Sequence, residues 1–191
     1  MKKYLMTLLV VCGILTFGLP AHSLTIYGTG ASTPILSGNE TSQDEIDSAI
    51  ESSIIGAIEL YKSDFGGSES GLFASSYETV FSNFEDSNNN EDPSDATITW
   101  MGPNIVGDPK YLLVKDGNAK PAWYLFNLTS GSNNALAWNG TDNLELVNFW
   151  FDGRGSISHV TLYGATAVPE PATLILLGLG LLGIAGIRRK K

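Results

Sequence analysis

Residues 168–191 read as a membrane segment and not as part of a soluble core, which confines the foldable domain to what precedes them. Val168-Pro169-Glu170-Pro171 is followed by an uncharged run from Ala172 to Ile187 and then by Arg188-Arg189-Lys190-Lys191. At the α-helical rise of about 1.5 Å per residue, residues 172–187 reach roughly 24 Å, a little less than the ~30 Å hydrocarbon core of a bilayer. A thin or temporary transmembrane helix is expected there. Its four terminal cations belong on the cytoplasmic side of the membrane, which places everything before Pro169 outside the cytoplasm.

The other end of the chain predicts the same direction of travel. Lys2-Lys3 is a positive leader, Leu5 to Leu19 is apolar, and Ala21-His22-Ser23 offers small residues to a signal peptidase. A signal peptide over residues 1–23, cut after Ser23, is therefore expected. Between it and the tail lie residues 24–167, enough for one domain with a core of its own. Five of the 11 basic residues and 19 of the 20 acidic ones fall in that span, so the domain carries about −14. Such a surface disfavours nucleic acid and anionic lipid as partners. The single cysteine, Cys12, leaves with the signal peptide, so neither a disulfide nor a thiol nucleophile is expected in the mature domain.

Within the domain the patterning predicts one helix followed by strands. Ser42-Gln43-Asp44-Glu45 has the form of a capping box, and Ile46, Ile50, Ile54, Ile58 and Tyr61 then recur at three- and four-residue spacing until Gly66-Gly67. That predicts an amphipathic helix of about five turns. It is expected to cover a sheet edge or an open end of the fold, with Asp47, Glu51 and Glu59 on its outer side. Strands are predicted within Leu72–Phe84, Ala96–Trp100, Tyr111–Lys115, Ala122–Leu128, Asn143–Phe151 and Ser156–Tyr163. Asp116-Gly117-Asn118, Asn139-Gly140 and Asp152-Gly153-Arg154-Gly155 supply turns between them. Short strands without βαβ alternation indicate a mainly β, antiparallel sandwich or jelly-roll-like ectodomain with one helix attached.

The two ends together resemble the bacterial PEP-CTERM proteins. The matching residues are Val168, Pro169, Glu170, Pro171, Ala172 and Thr173, the Leu/Gly-rich run from Leu174 to Ile187, and the basic end from Arg188. That resemblance implies recognition in the inner membrane by an exosortase, a membrane-embedded cysteine transpeptidase that cuts near the Pro-Glu-Pro. It also implies delivery of the ectodomain to the cell surface or the extracellular polysaccharide layer. Prolines on both sides of Glu170 remove backbone donors and hold the segment extended, a form suited to a protease cleft. Val114-Lys115-Asp116-Gly117-Asn118, Trp138-Asn139-Gly140-Thr141, Phe149-Trp150 and Ile157-Ser158-His159-Val160 are similar to stretches of other ectodomains of this group. That likeness implies no defined activity.

The residues of the ectodomain suggest little catalysis. His159 is the one histidine left after processing, and it sits in an alternating strand with Ile157, Thr161 and Tyr163. A structural role is expected for it. Asp86, Asn88, Asn90 and Asp92 form the densest set of oxygen ligands and are a candidate calcium site. The loop departs from an EF-hand at Glu91, where Gly is needed, and at Thr97, where a bidentate Glu is needed. An acidic loop without fixed structure is the expectation. Trp138 and Trp100 adjoin turns and are candidates for stacking on a sugar, with core packing the competing role. Trp123, Tyr124 and Phe126, on both faces of one strand, suggest burial between layers. No cofactor is implied. The expected function is that of a non-enzymatic exported surface or matrix protein; a carbohydrate- or calcium-binding module is the alternative.

Overall fold

In the computed structural model, residues 22–28, 30–86, 91–117, 119–132, 135–150 and 155–166 are described. They form ten strands and one α-helix: β1 (Ser23–Tyr27), β2 (Leu36–Gly38), α1 (Gln43–Ile50), β3 (Ile58–Asp64), β4 (Glu69–Ser70), β5 (Tyr77–Asp86), β6 (Glu91–Trp100), β7 (Val106–Lys115), β8 (Trp123–Asn127), β9 (Asn143–Val147) and β10 (His159–Thr166). Four of the strands make one sheet in the order β1-β9-β6-β5, and six make a second in the order β2-β8-β7-β10-β3-β4. The expected mainly β ectodomain with one helix is what these residues build. Apart from His22 and Ser23, the last of which opens β1 and pairs with Asn143, the predicted signal peptide lies outside the described residues, as does the predicted transmembrane helix. Among the described residues no helix is long and apolar enough to cross a membrane.

The inner faces of the two sheets share one core. Ile26, Ile98, Leu144 and Leu146 from the smaller sheet meet Leu60, Leu112, Val114, Phe126 and Leu162 from the larger. Alternation along each strand supplies this layer, because residues i and i+2 share a face. A second cluster lies on the outer face of the larger sheet. There Ile46 and Ile50 of α1 cover Tyr111, Leu113, Trp123, Leu125 and Tyr163. Strand β8 serves both layers, with Trp123 under the helix and Phe126 between the sheets. The larger sheet is thus buried on both sides, which is why aromatic residues occupy consecutive positions there.

Several boundaries differ from the sequence reading. The helix runs for eight residues and not five turns. The helix gives way to turns after Ile50, Gly56 takes a left-handed φ of 81° just before β3, and Ile58 and Tyr61 belong to β3. The Ser42 side chain makes no cap hydrogen bond, so the capping box does not form. The helix lies over a sheet face and not over an edge or an open end. Pairing is antiparallel except between β1 and β9, which run parallel. The stretch before Tyr77 is turn, and the strand predicted over Asn143–Phe151 stops at Val147, followed by left-handed Asn148 and Trp150. The turn near Asn139 does not join neighbours: β8 and β9 stand in different sheets, and so do β9 and β10.

Candidate functional site

The tail that the sequence singles out leaves from the middle of the larger sheet. Strand β10 lies between β7 and β3, with its first six residues buried and Thr166 exposed. Thr166 pairs with Val106 of β7, and Gly164 with Ile58 of β3. Both ladders shift register around Tyr163, and Gly164 fits tightly there: a Cβ on it would run into Val106 Cγ1 and stand 2.8 Å from the Gly107 carbonyl. Beyond Thr166, two residues precede Pro169. The Pro-Glu-Pro is therefore tied closely to a strand with a neighbour on each side.

The sheet end around that exit has its own chemistry. A hollow of about 680 Å³ lies between α1 and the start of β3, lined by Asp47, Glu51, Ile54, Ile55, Ile58, Glu59 and Tyr163 among others. Ile55 is 78% exposed and Ile58 57% exposed. The Tyr163 hydroxyl donates to Asp47 Oδ1 at 3.4 Å. Burial, and then the negative charge of Asp47 and Glu59, push the Tyr163 phenol far above its ordinary range, so it stays neutral. Burial also raises the Glu59 carboxyl, with Lys62 opposing and Asp47 and Asp64 reinforcing the shift. No basic residue stands in the last turn of α1.

At the other end of β3, Phe65, Phe81 and Phe84 form an aromatic group, with ring centroids 5.5 Å (Phe65 to Phe81) and 5.9 Å (Phe65 to Phe84) apart. Phe65 is 38% and Phe84 48% exposed. Asn83, left-handed at φ 55°, interrupts β5 between Phe81 and Phe84, and both rings reach Phe65. A hollow of about 520 Å³ adjoins them, lined by Asp64, Glu69, Glu78, Thr79, Phe81 and Met101 among others. Glu69 closes this side of the sandwich: its Oε1 accepts from the Tyr61 hydroxyl at 2.7 Å and from the Thr79 amide at 2.9 Å.

The residues proposed from sequence are placed as follows. Trp138 is 1% exposed, its ring beside Tyr77 and its indole N–H donated to the Asp142 carbonyl at 2.7 Å. That is a core position and leaves no ring face for a sugar. Trp100 is half-buried against the core and donates to the Asn104 carbonyl at 2.9 Å. Asn88 and Asn90 lie outside the described residues. The backbone of Asp86 and Asp92 belongs to the β5–β6 ladder, where Asp86 pairs with Glu91 and Asp92 with Glu85, so most of the stretch expected as a loop is strand. Among the described residues no group of three or more His, Cys, Asp or Glu is arranged to hold a metal ion. His159 is buried opposite Asp64 and Lys115, with Nδ1 3.6 Å from Asp64 Oδ1. Burial, with Lys62 and Lys115 nearby, pulls its pKa down to about 4, so its imidazole is neutral at pH 7. The exposed phenylalanines escaped sequence reading because strict alternation places Phe81 and Phe84 on opposite faces.

Residues 167–190 match the PEP-CTERM protein-sorting motif. No curated protein and no solved structure matches the chain.

Proposed function

From the sorting motif at residues 167–190, which marks an exported protein processed by an exosortase-type membrane enzyme, we propose that this chain is a non-enzymatic surface or matrix protein. Its β ectodomain is made with a cleaved signal peptide and held briefly in the inner membrane by residues 172–187. Its Arg188–Lys191 end stays in the cytoplasm, and the ectodomain is then delivered to the extracellular polysaccharide layer. The observation that carries this reading is the motif itself, joined by two residues to the central strand of a sheet packed on both faces. A catalytic role draws little support from His159, whose imidazole is buried in a strand. Replacing Pro169, Glu170 and Pro171 by alanine tests the sorting claim. The precursor is expected to accumulate at full mass in the membrane fraction; normal processing of that variant would refute the exosortase role.

A second reading, a carbohydrate-binding module, is favoured by the exposed rings of Phe65 and Phe84, backed by the partly buried Phe81, beside a hollow carrying Asp64, Glu69 and Glu78. Aromatic faces stack on sugar rings while carboxylates accept from sugar hydroxyls. Electrophoresis of the mature protein through gels containing polysaccharide checks it. Phe65→Ala with Phe84→Ala is expected to abolish retardation. Equal mobility of wild type with and without polysaccharide removes this reading.

A further inference from the structure

We propose that the sheet end from which the tail leaves, with Ile55 and Ile58 exposed among Asp47, Glu51 and Glu59, is a docking surface for the membrane enzyme that reads the sorting motif. It would meet an apolar patch flanked by basic side chains on the outer face of that enzyme. This rests on the exosortase reading above and adds a contact outside the motif.

Length of chain is the first argument. Thr166 is the last strand residue and Pro169 the first proline of the motif, three residues on, a span of at most about 11 Å when fully extended. An enzyme that holds Pro169–Pro171 in a cleft is thereby brought against the end of the sheet. Ile58 pairs with Gly164, two positions before that exit, and Gly56 lies beside Pro109 of the neighbouring strand β7, so the exposed isoleucines belong to this end. Exposed aliphatic side chains next to an enforced contact are expected to be part of it.

Charge selects the partner. Asp47, Glu51 and Glu59 line the same hollow as the isoleucines, and the carbonyl end of α1 adds partial negative charge without a basic residue to offset it. Anionic lipid headgroups are repelled by that set, and cationic side chains of a protein are attracted.

The full-length precursor is followed by pulse-chase in cells that process it. Ile55→Ser with Ile58→Ser is expected to slow conversion to the mature mass roughly tenfold, as the loss of two apolar contacts implies. Glu51→Lys slows it by repulsion. Ile55→Ser alone, at a site too exposed to unsettle the fold, is expected to slow it by a smaller factor with the melting temperature lowered by a few degrees at most. Conversion of all three variants at the wild-type rate overturns the docking surface. A precursor with Pro169, Glu170 and Pro171 replaced runs in parallel: if that one is processed normally, the exosortase reading fails, and the docking proposal with it. Processed wild-type protein is also floated with vesicles of phosphatidylethanolamine and phosphatidylglycerol. Vesicle binding that the double isoleucine variant loses would assign the patch to lipid and overturn the proposal.

Discussion

The two ends of strand β3 present different surfaces. Its first residue, Ile58, stands where the sorting tail leaves, among carboxylates and exposed isoleucines; its last, Asp64, leads into Phe65 and the exposed ring group. The seven-residue strand sets them roughly 20 Å apart. The near end sits within a few residues of the sorting motif, and its surface is aliphatic and acidic. The far end lies at the opposite end of the strand and offers aromatic faces beside a polar hollow. One core serves both, so the two proposed roles, enzyme docking and sugar contact, should be separable by substitutions at the surface and inseparable by substitutions inside.

Trp138→Ala should break both ends together. The indole fills the core beside Tyr77, and its loss leaves a cavity and an unpaired Asp142 carbonyl. A loss of about 3–5 kcal/mol is expected in urea unfolding. Both the processing rate and any polysaccharide retardation should fall with it. A loss below about 1 kcal/mol would mean that the two ends do not share this support.

Acid should act on the two ends with opposite sign. His159, at the start of β10 opposite Asp64, is held neutral by burial, so the folded protein binds fewer protons than the unfolded chain between about pH 6.5 and 4. Its contribution is present above pH 6.5 and is lost as the pH falls to about 4, an effect on the order of 3 kcal/mol for this side chain. Glu59, at the near end, has a raised pKa, so the folded state is favoured as the pH falls through that value. Unfolding measured from pH 7 to 4 should therefore show a shallower loss in His159→Gln and a steeper one in Glu59→Gln. Identical profiles for both variants and wild type would remove the electrostatic contrast.

Ile55→Ser and Phe84→Ala should change stability least, each by no more than about 0.5–1 kcal/mol, since both residues are exposed. If either changed unfolding by several kcal/mol, its end of the molecule would be structural support and not a surface free for a partner.

Much of this arrangement was legible in the residues. Tyr111–Lys115 and Trp123–Asn127 read as strands because each is a short apolar run rich in aromatic or branched residues, and consecutive aromatics at Trp123-Tyr124 signal burial on two faces. The helix was overrun because Ile54, Ile58 and Tyr61 continue the helical spacing by coincidence across Gly56, whose conformation is a tertiary matter. Leu36–Gly38 is too short to alternate, and the parallel match of β1 with β9 joins residues about 120 apart, which no local pattern encodes. Trp138 beside Asn139-Gly140 looks like an exposed turn residue, yet the Asx turn, in which Asn139 Oδ1 accepts from the Thr141 and Asp142 amides, folds the loop back over the core. The sorting motif was readable because its pattern lies in local sequence and needs no tertiary partner.

The most direct measurement is the C-terminal residue of the protein recovered from the cell surface and medium, read by mass spectrometry. A terminus within a few residues of Pro169–Pro171, with β10 intact to Thr166 and residues 172–191 gone, is the expected result. A surface protein still carrying Arg188–Lys191 would show that the tail is a permanent anchor, and the division of tasks between the two ends would lose its basis.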